Sequence, residues 1–348
     1  MSQDMRSGTD GVAPAVIAGI GAVTADRLVK NDELARRLDV SPDWIRVRTG
    51  IEQRYVLAPD EATSDLAHRA ARRALAACGD PDIDFVILAT CTPDHTFPST
   101  APSVASRLGL GPVTAFDLNA ACSGFVYGLS AGAGLIASGA FRTGLVIGAD
   151  AISTIIDHDD PVTAPIFGDG AGAVVLRAGT AGEPGRLLAQ TTGSDGSLLD
   201  VLITPSGGSR QRAAGVAPDP ADGYLRMEGR LVFRHAVRRM AEACRTVVER
   251  TGWSVDEVDL LVAHQANERI LTATADELGL PPEKAFSNVD RVANTSAASI
   301  PLALVDALAA GVLRPGDKVV LAGFGGGATW GAVTLVWPDV PVGTGSEV

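Results

Sequence analysis

Along most of this chain, continuous apolar runs of strand length alternate with segments whose apolar residues recur at helical spacing. Residues 15–23 predict a first strand, and the run 84–90 predicts a strand buried on both faces. Residues 63–78 have a helical pattern. Two short helices are expected over residues 31–38 and 41–47, each opened by a capping-type residue at its first position. This alternation favours an α/β protein with largely parallel sheets.

The pattern also repeats. Residues 83–89 resemble 258–264, and Asn119-Ala-Ala-Cys resembles Asn294-Thr-Ser-Ala, so both pairs are 175 residues apart. Two further pairs follow in the same order: 139–147 with 311–320, and 167–175 with 324–335. Four matches in order imply duplicated halves, predicted as residues 13–180 and 186–338, with a Gly/Ala/Thr/Pro-rich linker near 178–185. Chemistry is expected where the halves meet, because the turns at Cys122 and Asn294 occupy equivalent positions.

Composition narrows the class of protein. The 348 residues carry a net charge of −12, which argues against nucleic acid or an anionic membrane as the main partner. No apolar run approaches the roughly 18 residues of a membrane span, and residues 1–12 are polar, so a cytoplasmic protein is expected. The four cysteines are scattered, with no Cys/His cluster to indicate a zinc site or a disulfide framework.

One of these cysteines lies in a distinctive stretch. An apolar, strand-like run ends at Leu118, small residues follow, and a helix-like run begins at Cys122. A thiol at a helix N-terminus is favoured as the thiolate, so a nucleophile that attacks thioesters near neutral pH without a dedicated base is expected. The alternative is a buried apolar cysteine, and this stretch alone leaves the two readings even.

Three other segments supply matching groups. His264 follows an apolar strand, and Asn294 precedes a helix of small residues. Alone, the first is typical of a structural histidine and the second of an N-cap. The glycine-rich run 321–328 can adopt positive φ and direct backbone N–H groups at an oxyanion. Together with Cys122, these groups provide the parts for acyl transfer through a thioester intermediate.

The combination resembles a known family. Ala120-Ala-Cys-Ser-Gly-Phe, His264-Gln-Ala-Asn-Glu-Arg, Asn294-Thr-Ser-Ala-Ala-Ser and Phe324-Gly-Gly-Gly-Ala-Thr-Trp-Gly are similar to the signature segments of β-ketoacyl-acyl-carrier-protein synthase III. The resemblance extends from about residue 16 to 337, in order and at the spacing of the family. It implies the thiolase fold, a duplicated five-layered αβαβα α/β architecture, and a homodimer.

The resemblance also implies a mechanism. Cys122 would be the acylated nucleophile of a Cys-His-Asn triad completed by His264 and Asn294, with the N–H groups of Cys122 and Gly326 as oxyanion hole. His264 and Asn294 would stabilise the enolate that malonyl-acyl-carrier protein forms on losing CO2. Its attack on acyl-Cys122 gives a β-ketoacyl thioester, which starts a fatty-acid or polyketide chain. No metal or redox cofactor is expected, and acyl-CoA or acyl-carrier protein would supply the primer.

Further residues are assigned by resemblance alone. Those implied to contact coenzyme A or the substrate are Trp44, Arg48, Thr49, Asn267, Phe97 and Met227. Phe97 would be inserted into the acyl pocket by the partner subunit, although ordinary packing in a dimer core is an equal alternative. Arg234 and Arg269 match positions that dock the acidic carrier protein, and the alternative for them is a solvated basic surface.

The chain departs from the family pattern at two places. Pro161 stands where relatives primed by coenzyme A thioesters often carry an arginine that stacks on adenine, so weaker coenzyme A binding or a carrier-bound donor is expected. The loop 205–220 is unusually rich in Gly, Ser, Ala and Pro near the expected mouth of the tunnel. Both leave the identity of the primer open.

Three other functions remain as alternatives. An acyltransferase on the same scaffold would move the acyl group from Cys122 to an alcohol, amine or carrier thiol without decarboxylation, and the intact Asn294 favours condensation over it. A non-catalytic partner subunit would lack Cys122. A cysteine hydrolase would need a water path and a base positioned to activate water.

Overall fold

The computed structural model describes residues 13–343, except 216 and 218. The expectation drawn from residues 1–12 therefore lies outside the described residues, as do two positions of the loop 205–220. Among the described helices, none is long and apolar enough to cross a membrane.

Strands and helices alternate as the hydrophobic pattern predicts. The strands are β1 (Ala15–Thr24), β2 (Arg27–Lys30), β3 (Gln53–Val56), β4 (Phe85–Ala89), β5 (Thr114–Leu118), β6 (Thr143–Asp150), β7 (Gly170–Ala178), β8 (Leu187–Ser194), β9 (Leu202–Ile203), β10 (Arg226–Met227), β11 (Leu260–Ala263), β12 (Lys318–Gly325), β13 (Thr329–Val336) and β14 (Val342–Gly343). The α-helices are α1 (Asn31–Leu38), α2 (Pro42–Thr49), α3 (Thr63–Ala77), α4 (Ala101–Arg107), α5 (Gly124–Ala137), α6 (Ser209–Ala213), α7 (Gly229–Thr251), α8 (Glu268–Leu278), α9 (Val289–Val292) and α10 (Ser299–Ala309). Short 3₁₀ turns at Ala121–Ser123 and Ser296–Ala298 precede α5 and α10.

The predicted caps have different outcomes. Ser41 caps α2, and its Oγ accepts the N–H of Trp44 at 3.0 Å. The prediction that Asn31 opens α1 as a cap is wrong. Lys30 holds the N-cap position, and the Asn31 side chain is buried and donates to the carbonyl oxygen of Ile51 at 2.7 Å. The Asn31 side chain is therefore positioned by a bond donated to a distant backbone carbonyl, and not by accepting an N–H of its own helix.

Two sheets organise the molecule. The first has the strand order β14-β1-β7-β6-β4-β5, and the second has β11-β12-β13-β8. In the first sheet β7 is antiparallel to both β1 and β6, whereas β4 is parallel to both β6 and β5. In the second sheet β13 is antiparallel to both β8 and β12, whereas β12 and β11 are parallel. The two sheets thus share one pattern of strand directions, while the boundaries 13–180 and 186–338 stay a prediction.

The buried side chains show how the layers stack. One apolar cluster joins α5 and α10 to inward faces of both sheets, including Phe125 and Ile300 from the helices and Ile87 and Leu321 from the strands. A second cluster joins α3 and α4 to the other face of the first sheet, and a third joins α7 and α8 to the other face of the second. The order is helix, sheet, helix, sheet, helix, which confirms the five-layered α/β architecture. Because α5 and α10 are buried between sheets, the polar turns that start them meet inside the protein.

Candidate active site

The turn before α5 places the thiol of Cys122 inside the protein. Asn119 closes the turn after β5, since its Oδ1 accepts the N–H of Ala121 at 3.2 Å. Ala121 has a φ of +46°, an unusual conformation for a residue with a side chain. Cys122 follows in the 3₁₀ turn and is 7% exposed. The helix that the sequence predicts from Cys122 therefore starts as 3₁₀ and becomes α-helical at Gly124.

The glycine-rich segment after β12 passes directly over this turn. A Cβ atom on Gly325 would lie 2.6 Å from the backbone nitrogen of Cys122, so only glycine permits the approach. A Cβ on Gly326 would lie 3.1 Å from the carbonyl oxygen of Leu202. The predicted positive φ is found at Gly327 (+117°) but not at Gly325 or Gly326. Close backbone contact, more than unusual φ, is what this segment requires of its glycines.

His264 is held at the end of β11. Its backbone N–H donates to the carbonyl oxygen of Ala322 on β12 at 2.7 Å. The ring is 2% exposed, and its Nδ1 lies 2.6 Å from Oγ of Ser299, the first residue of α10. Burial lowers the pKa of His264 to about 3, so the imidazole is neutral at physiological pH. The protein therefore occupies Nδ1, and Nε2 is the nitrogen left for a ligand.

Asn294 is fixed by the loop that leads into α10. Its backbone bonds to the segment before β7, through Asn294 N–H to Ile166 O and Gly168 N–H to Asn294 O, both 3.0 Å. Its Oδ1 accepts the N–H of Ser296 at 2.9 Å. The flanking Ala293 and Ser296 have positive φ values of +60° and +52°. The side-chain carbonyl is thereby occupied, which leaves the Nδ2 amide to face a ligand.

A buried aspartate ties this loop to the first sheet. Asp150, at the end of β6, is 0% exposed, and its Oδ2 accepts the N–H of Ala297 at 3.0 Å. Its Oδ1 accepts from the hydroxyls of Thr90 and Thr92 and from both the N–H and the thiol of Cys91. One carboxylate thus connects the ends of β4 and β6 to the turn that positions Asn294.

The three groups line one cavity. Its volume is about 450 Å³, and Cys122, His264 and Asn294 all contribute to its wall. Apolar side chains make up much of the rest, including Phe324, Phe167 and Met227. The wall extends to the exposed Arg230 and Arg269. This is a channel from a basic surface to a buried thiol.

Burial governs the acid–base behaviour of that thiol. It raises the pKa of Cys122 to about 12, and the Ser296 hydroxyl lowers that pKa only in part. The prediction that the helix N-terminus makes the thiolate available near neutral pH is therefore wrong for the substrate-free site. The thiol of the substrate-free site is therefore protonated at neutral pH.

The low pKa of His264 makes folding stability depend on pH. The unfolded imidazole titrates near 6.5 and the folded one near 3, so between these values the unfolded state binds more protons. The stabilisation is complete above pH 6.5 and is lost as the pH falls towards 3, at about 1.4 kcal/mol per pH unit. In urea unfolding from pH 7 to 4, we expect His264→Asn to remove this slope. His158→Asn, at an exposed position, should retain it, and an equal slope in both variants would contradict the assignment.

The residues predicted to bind coenzyme A or the substrate differ in whether they line the cavity. Asn267 lines the cavity, caps α8 and donates from Nδ2 to the carbonyl oxygen of Arg48 at 3.2 Å, which brings α2 beside the channel. Arg48 lies over the Trp44 ring, with its Cζ 4.2 Å from the ring centroid. Neither side chain lines the cavity itself. Thr49 is buried, and its hydroxyl donates to the carbonyl oxygen of Ile45 and accepts the N–H of Ile51.

The remaining predicted residues lie at the surface or the wall. Met227 lines the cavity from β10, close to Leu202 of β9, so the loop 205–220 connects two strands of the cavity wall. Arg234 on α7 and Arg269 on α8 are both exposed, and only Arg269 reaches the cavity. Phe97 is 88% exposed and does not line the cavity. The loop with Pro161 is held to α1 through Arg37 and Asp159, which lie 2.6 Å apart.

Sequence reasoning missed two residues of the site, Ser299 and Asp150. Each is a common polar residue at the end of a predicted element, and the contact that matters comes from a segment 35 residues away for Ser299 and 147 residues away for Asp150. No local sequence pattern predicts such a partner. Among the described residues, no cluster of three or more His, Cys, Asp or Glu side chains could hold a metal ion.

The chain is similar to known proteins over more than 90% of its length. The family descriptions "3-Oxoacyl-[acyl-carrier-protein (ACP)] synthase III" and its C-terminal counterpart match residues 116–196 and 248–337. The chain is 53% identical over 325 residues to beta-ketoacyl-[acyl-carrier-protein] synthase III 5 of Streptomyces coelicolor, covering 93% of this chain and 98% of the relative. It is 49% identical over 326 residues to the synthase III of Pseudomonas aeruginosa, covering 94% and 97%.

Solved structures give the same result. The crystal structure of the Pseudomonas aeruginosa synthase III matches with a TM-score of 0.88 and 48% identity, covering 94% of this chain and 99% of that one. The priming β-ketosynthase of the R1128 polyketide pathway matches with a TM-score of 0.87 and 32% identity, covering 96% and 100%. Both cover nearly the whole length of each chain.

Proposed function

Because this chain belongs to the β-ketoacyl-[acyl-carrier-protein] synthase III family, we propose that Cys122, His264 and Asn294 carry out the reaction of that family. The enzyme is an acyltransferase that condenses an acyl primer with malonyl-acyl-carrier protein and so initiates fatty-acid or polyketide chains. One observation carries the assignment of roles. The three side chains face one cavity, while His264 Nδ1 and Asn294 Oδ1 are both held by the protein, which directs Nε2 and Nδ2 to the substrate.

The first half-reaction acylates Cys122. The sulfur attacks the thioester carbon of the donor, and the N–H groups of Cys122 and Gly326 stabilise the oxyanion. Collapse of the intermediate breaks the carbon–sulfur bond of the donor, whose thiolate takes the proton that Cys122 loses. The close approach of Gly325 to the Cys122 nitrogen supports this pairing of donors across β12 and the 3₁₀ turn.

The second half-reaction forms the carbon–carbon bond. Loss of CO2 from the malonyl thioester leaves its bonding electrons as an enolate, whose oxygen accepts from His264 Nε2–H and Asn294 Nδ2–H. The enolate carbon attacks the acyl carbon on Cys122, the acyl–sulfur bond breaks, and the Cys122 thiolate regains a proton from solvent. These steps use only groups of this chain, so the proposal includes no metal or redox cofactor.

The channel that leads to Cys122 suits a thioester substrate carried at the end of a long, flexible arm. Its apolar wall suits a pantetheine chain, and the exposed Arg234 and Arg269 offer positive charge to an acidic carrier protein. The Arg48 guanidinium over Trp44 supports a contact with coenzyme A phosphates beside α2. We therefore include acyl-CoA or acyl-carrier protein as donor and carrier-bound malonate as acceptor. A cytoplasmic location stays a prediction of the sequence.

Intact-mass measurement tests the two half-reactions. We expect incubation with short acyl thioesters to add one acyl mass to the enzyme, with none on Cys122→Ala. Malonyl-carrier protein should then discharge the adduct with one CO2 released per product. An adduct that is discharged only by an alcohol, amine or thiol, with no CO2, would make the protein a simple acyltransferase.

A homodimer is also part of the proposal. Phe97 is the most exposed of the large apolar side chains described, and phenylalanine is among the residues enriched in the buried cores of protein interfaces. We expect sedimentation to give twice the chain mass of 35.7 kDa. Phe97→Ser should slow acylation by short primers about 10-fold or more, through loss of one buried aromatic contact. Val312→Ser, at a 46% exposed position, is the matched control; a monomeric wild type would disprove the arrangement.

A further inference from the structure

Among the described residues, Nδ1 of His264 has one hydrogen-bond partner, and that partner decides the tautomer of the ring. The Oγ atom of Ser299 lies 2.6 Å from it, and both side chains are almost entirely buried, at 0% exposure for Ser299 and 2% for His264. Because burial keeps the imidazole neutral, only one of its two nitrogens carries a proton. The hydroxyl either donates to Nδ1, which puts the proton on Nε2, or accepts from Nδ1–H, which leaves Nε2 without one.

The surroundings of the hydroxyl favour donation. In the part of the chain that the structure describes, Ser299 Oγ has no hydrogen-bond partner other than His264 Nδ1. If the hydroxyl accepted from Nδ1–H, its own proton would be buried without an acceptor, which folded proteins avoid. Donation to Nδ1 satisfies that proton and leaves unused only lone pairs of the oxygen. The bond therefore runs from Ser299 to His264.

We propose that Ser299 is a positioning residue that holds His264 in the Nε2–H tautomer. The inference rests on the proposed function, in which Nε2–H donates to the enolate oxygen of the malonyl substrate. In the other tautomer a lone pair of Nε2 would face that developing negative charge and would repel it. Ser299 thus acts only through the ring, and its effect belongs to the condensation step and not to the acylation of Cys122.

The tautomer can be measured without activity. In protein labelled with ¹⁵N on the histidine rings, two-bond correlation spectra separate protonated from unprotonated ring nitrogens for the five histidines of the chain. The resonance that disappears in His264→Gln identifies His264. We expect wild-type His264 to show a protonated Nε2 and an unprotonated Nδ1. A protonated Nδ1 in the wild type would overturn the proposal.

Kinetics of the two half-reactions supply the second readout. We expect Ser299→Ala to slow discharge of the acyl-enzyme by malonyl-carrier protein about 10- to 100-fold, by analogy with the loss when a group that orients a metal-bound histidine is removed. Its rate of Cys122 acylation should stay within about 2-fold of wild type. Ser299→Thr, which keeps the hydroxyl, should restore most of the discharge rate and the Nε2–H signal.

The control variant is Ser130→Ala on α5, which removes a buried hydroxyl that has no hydrogen-bond partner among the residues that the structure describes. It should change neither half-reaction. Unchanged discharge in Ser299→Ala, or an equal loss of both half-reactions, would show that Ser299 is merely structural. If His264→Gln itself discharges normally, the proposed role of His264 fails whatever the tautomer, so the two failures are distinguishable. The spectrum of the wild type decides the case even where a Ser299 variant does not fold.

Discussion

Asn294→Ala is expected to leave an enzyme that still accepts an acyl group on Cys122 but no longer condenses it efficiently. The substitution removes Nδ2, one of the two donors proposed for the enolate, while the turn before α5 that carries Cys122 is untouched. Loss of one such donor typically slows the chemical step about 10²- to 10³-fold. Intact-mass kinetics should therefore show normal growth of the acyl adduct and slow discharge by malonyl-carrier protein.

A matched control separates this effect from the loss of structure. Asn288→Ala makes the same substitution at a fully buried position of the same segment, where Nδ2 donates to Asp306 at 2.8 Å, away from the cavity wall. It should lower stability without changing the ratio of the two half-reaction rates. If Asn294→Ala slows acylation and discharge equally, its side chain supports the fold of the site and does not act on the second substrate.

We expect Asp150→Ala to lower the free energy of unfolding more than any of the other variants described above. The substitution leaves the backbone N–H groups of Cys91 and Ala297 and the hydroxyls of Thr90 and Thr92 without their buried acceptor. Each unsatisfied donor costs about 1–3 kcal/mol, and partial relaxation reduces the sum, so we expect about 3–5 kcal/mol less free energy of unfolding. Urea unfolding at pH 7 measures it.

The same variant should also lose condensation activity, because the Ala297 contact holds the turn that presents Asn294. Asp84→Ala is the matched control: that exposed carboxylate also accepts two backbone N–H groups, from Arg142 and Thr143, and its removal should cost about 1 kcal/mol. Equal losses in the two variants would contradict the role assigned to burial. Asp150→Asn, which keeps one acceptor oxygen, should fall between wild type and alanine.

The hydrophobic pattern predicted most of the secondary structure. Strand β4 and helix α3 lie within one residue of their predicted bounds, because their apolar spacing and the adjacent breaks are local properties of the sequence. The outcome for Asn31 shows the limit of that reasoning. A capping side chain accepts a helix N–H through its oxygen, whereas Asn31 is held by a bond that its Nδ2 donates to the carbonyl oxygen of Ile51, 20 residues away.

For the candidate site, too, the sequence predicted some features and not others. Cys122, His264 and Asn294 were identified from their segments, since each polar residue interrupts an apolar run where an element ends. The protonation of Cys122 was predicted in the wrong direction, because helix position is visible in the sequence whereas the burial that raises its pKa is not. Thr49 was assigned by resemblance, and the structure places its hydroxyl in bonds within its own helix end.

The sequence by itself predicted most of the elements, the duplicated pattern, the family and the three groups proposed as the site, since each depends on residue types and spacing along the chain. Only the tertiary structure decided which atoms of those groups are bonded within the protein and which are left free. Ser299 takes Nδ1 of His264, Ser296 takes Oδ1 of Asn294, and Asp150 holds the turn between them. The Ser296 bond is local, but those of Ser299 and Asp150 join distant segments. They form only because two sheets bury the same pair of helices, and such burial has no local signature.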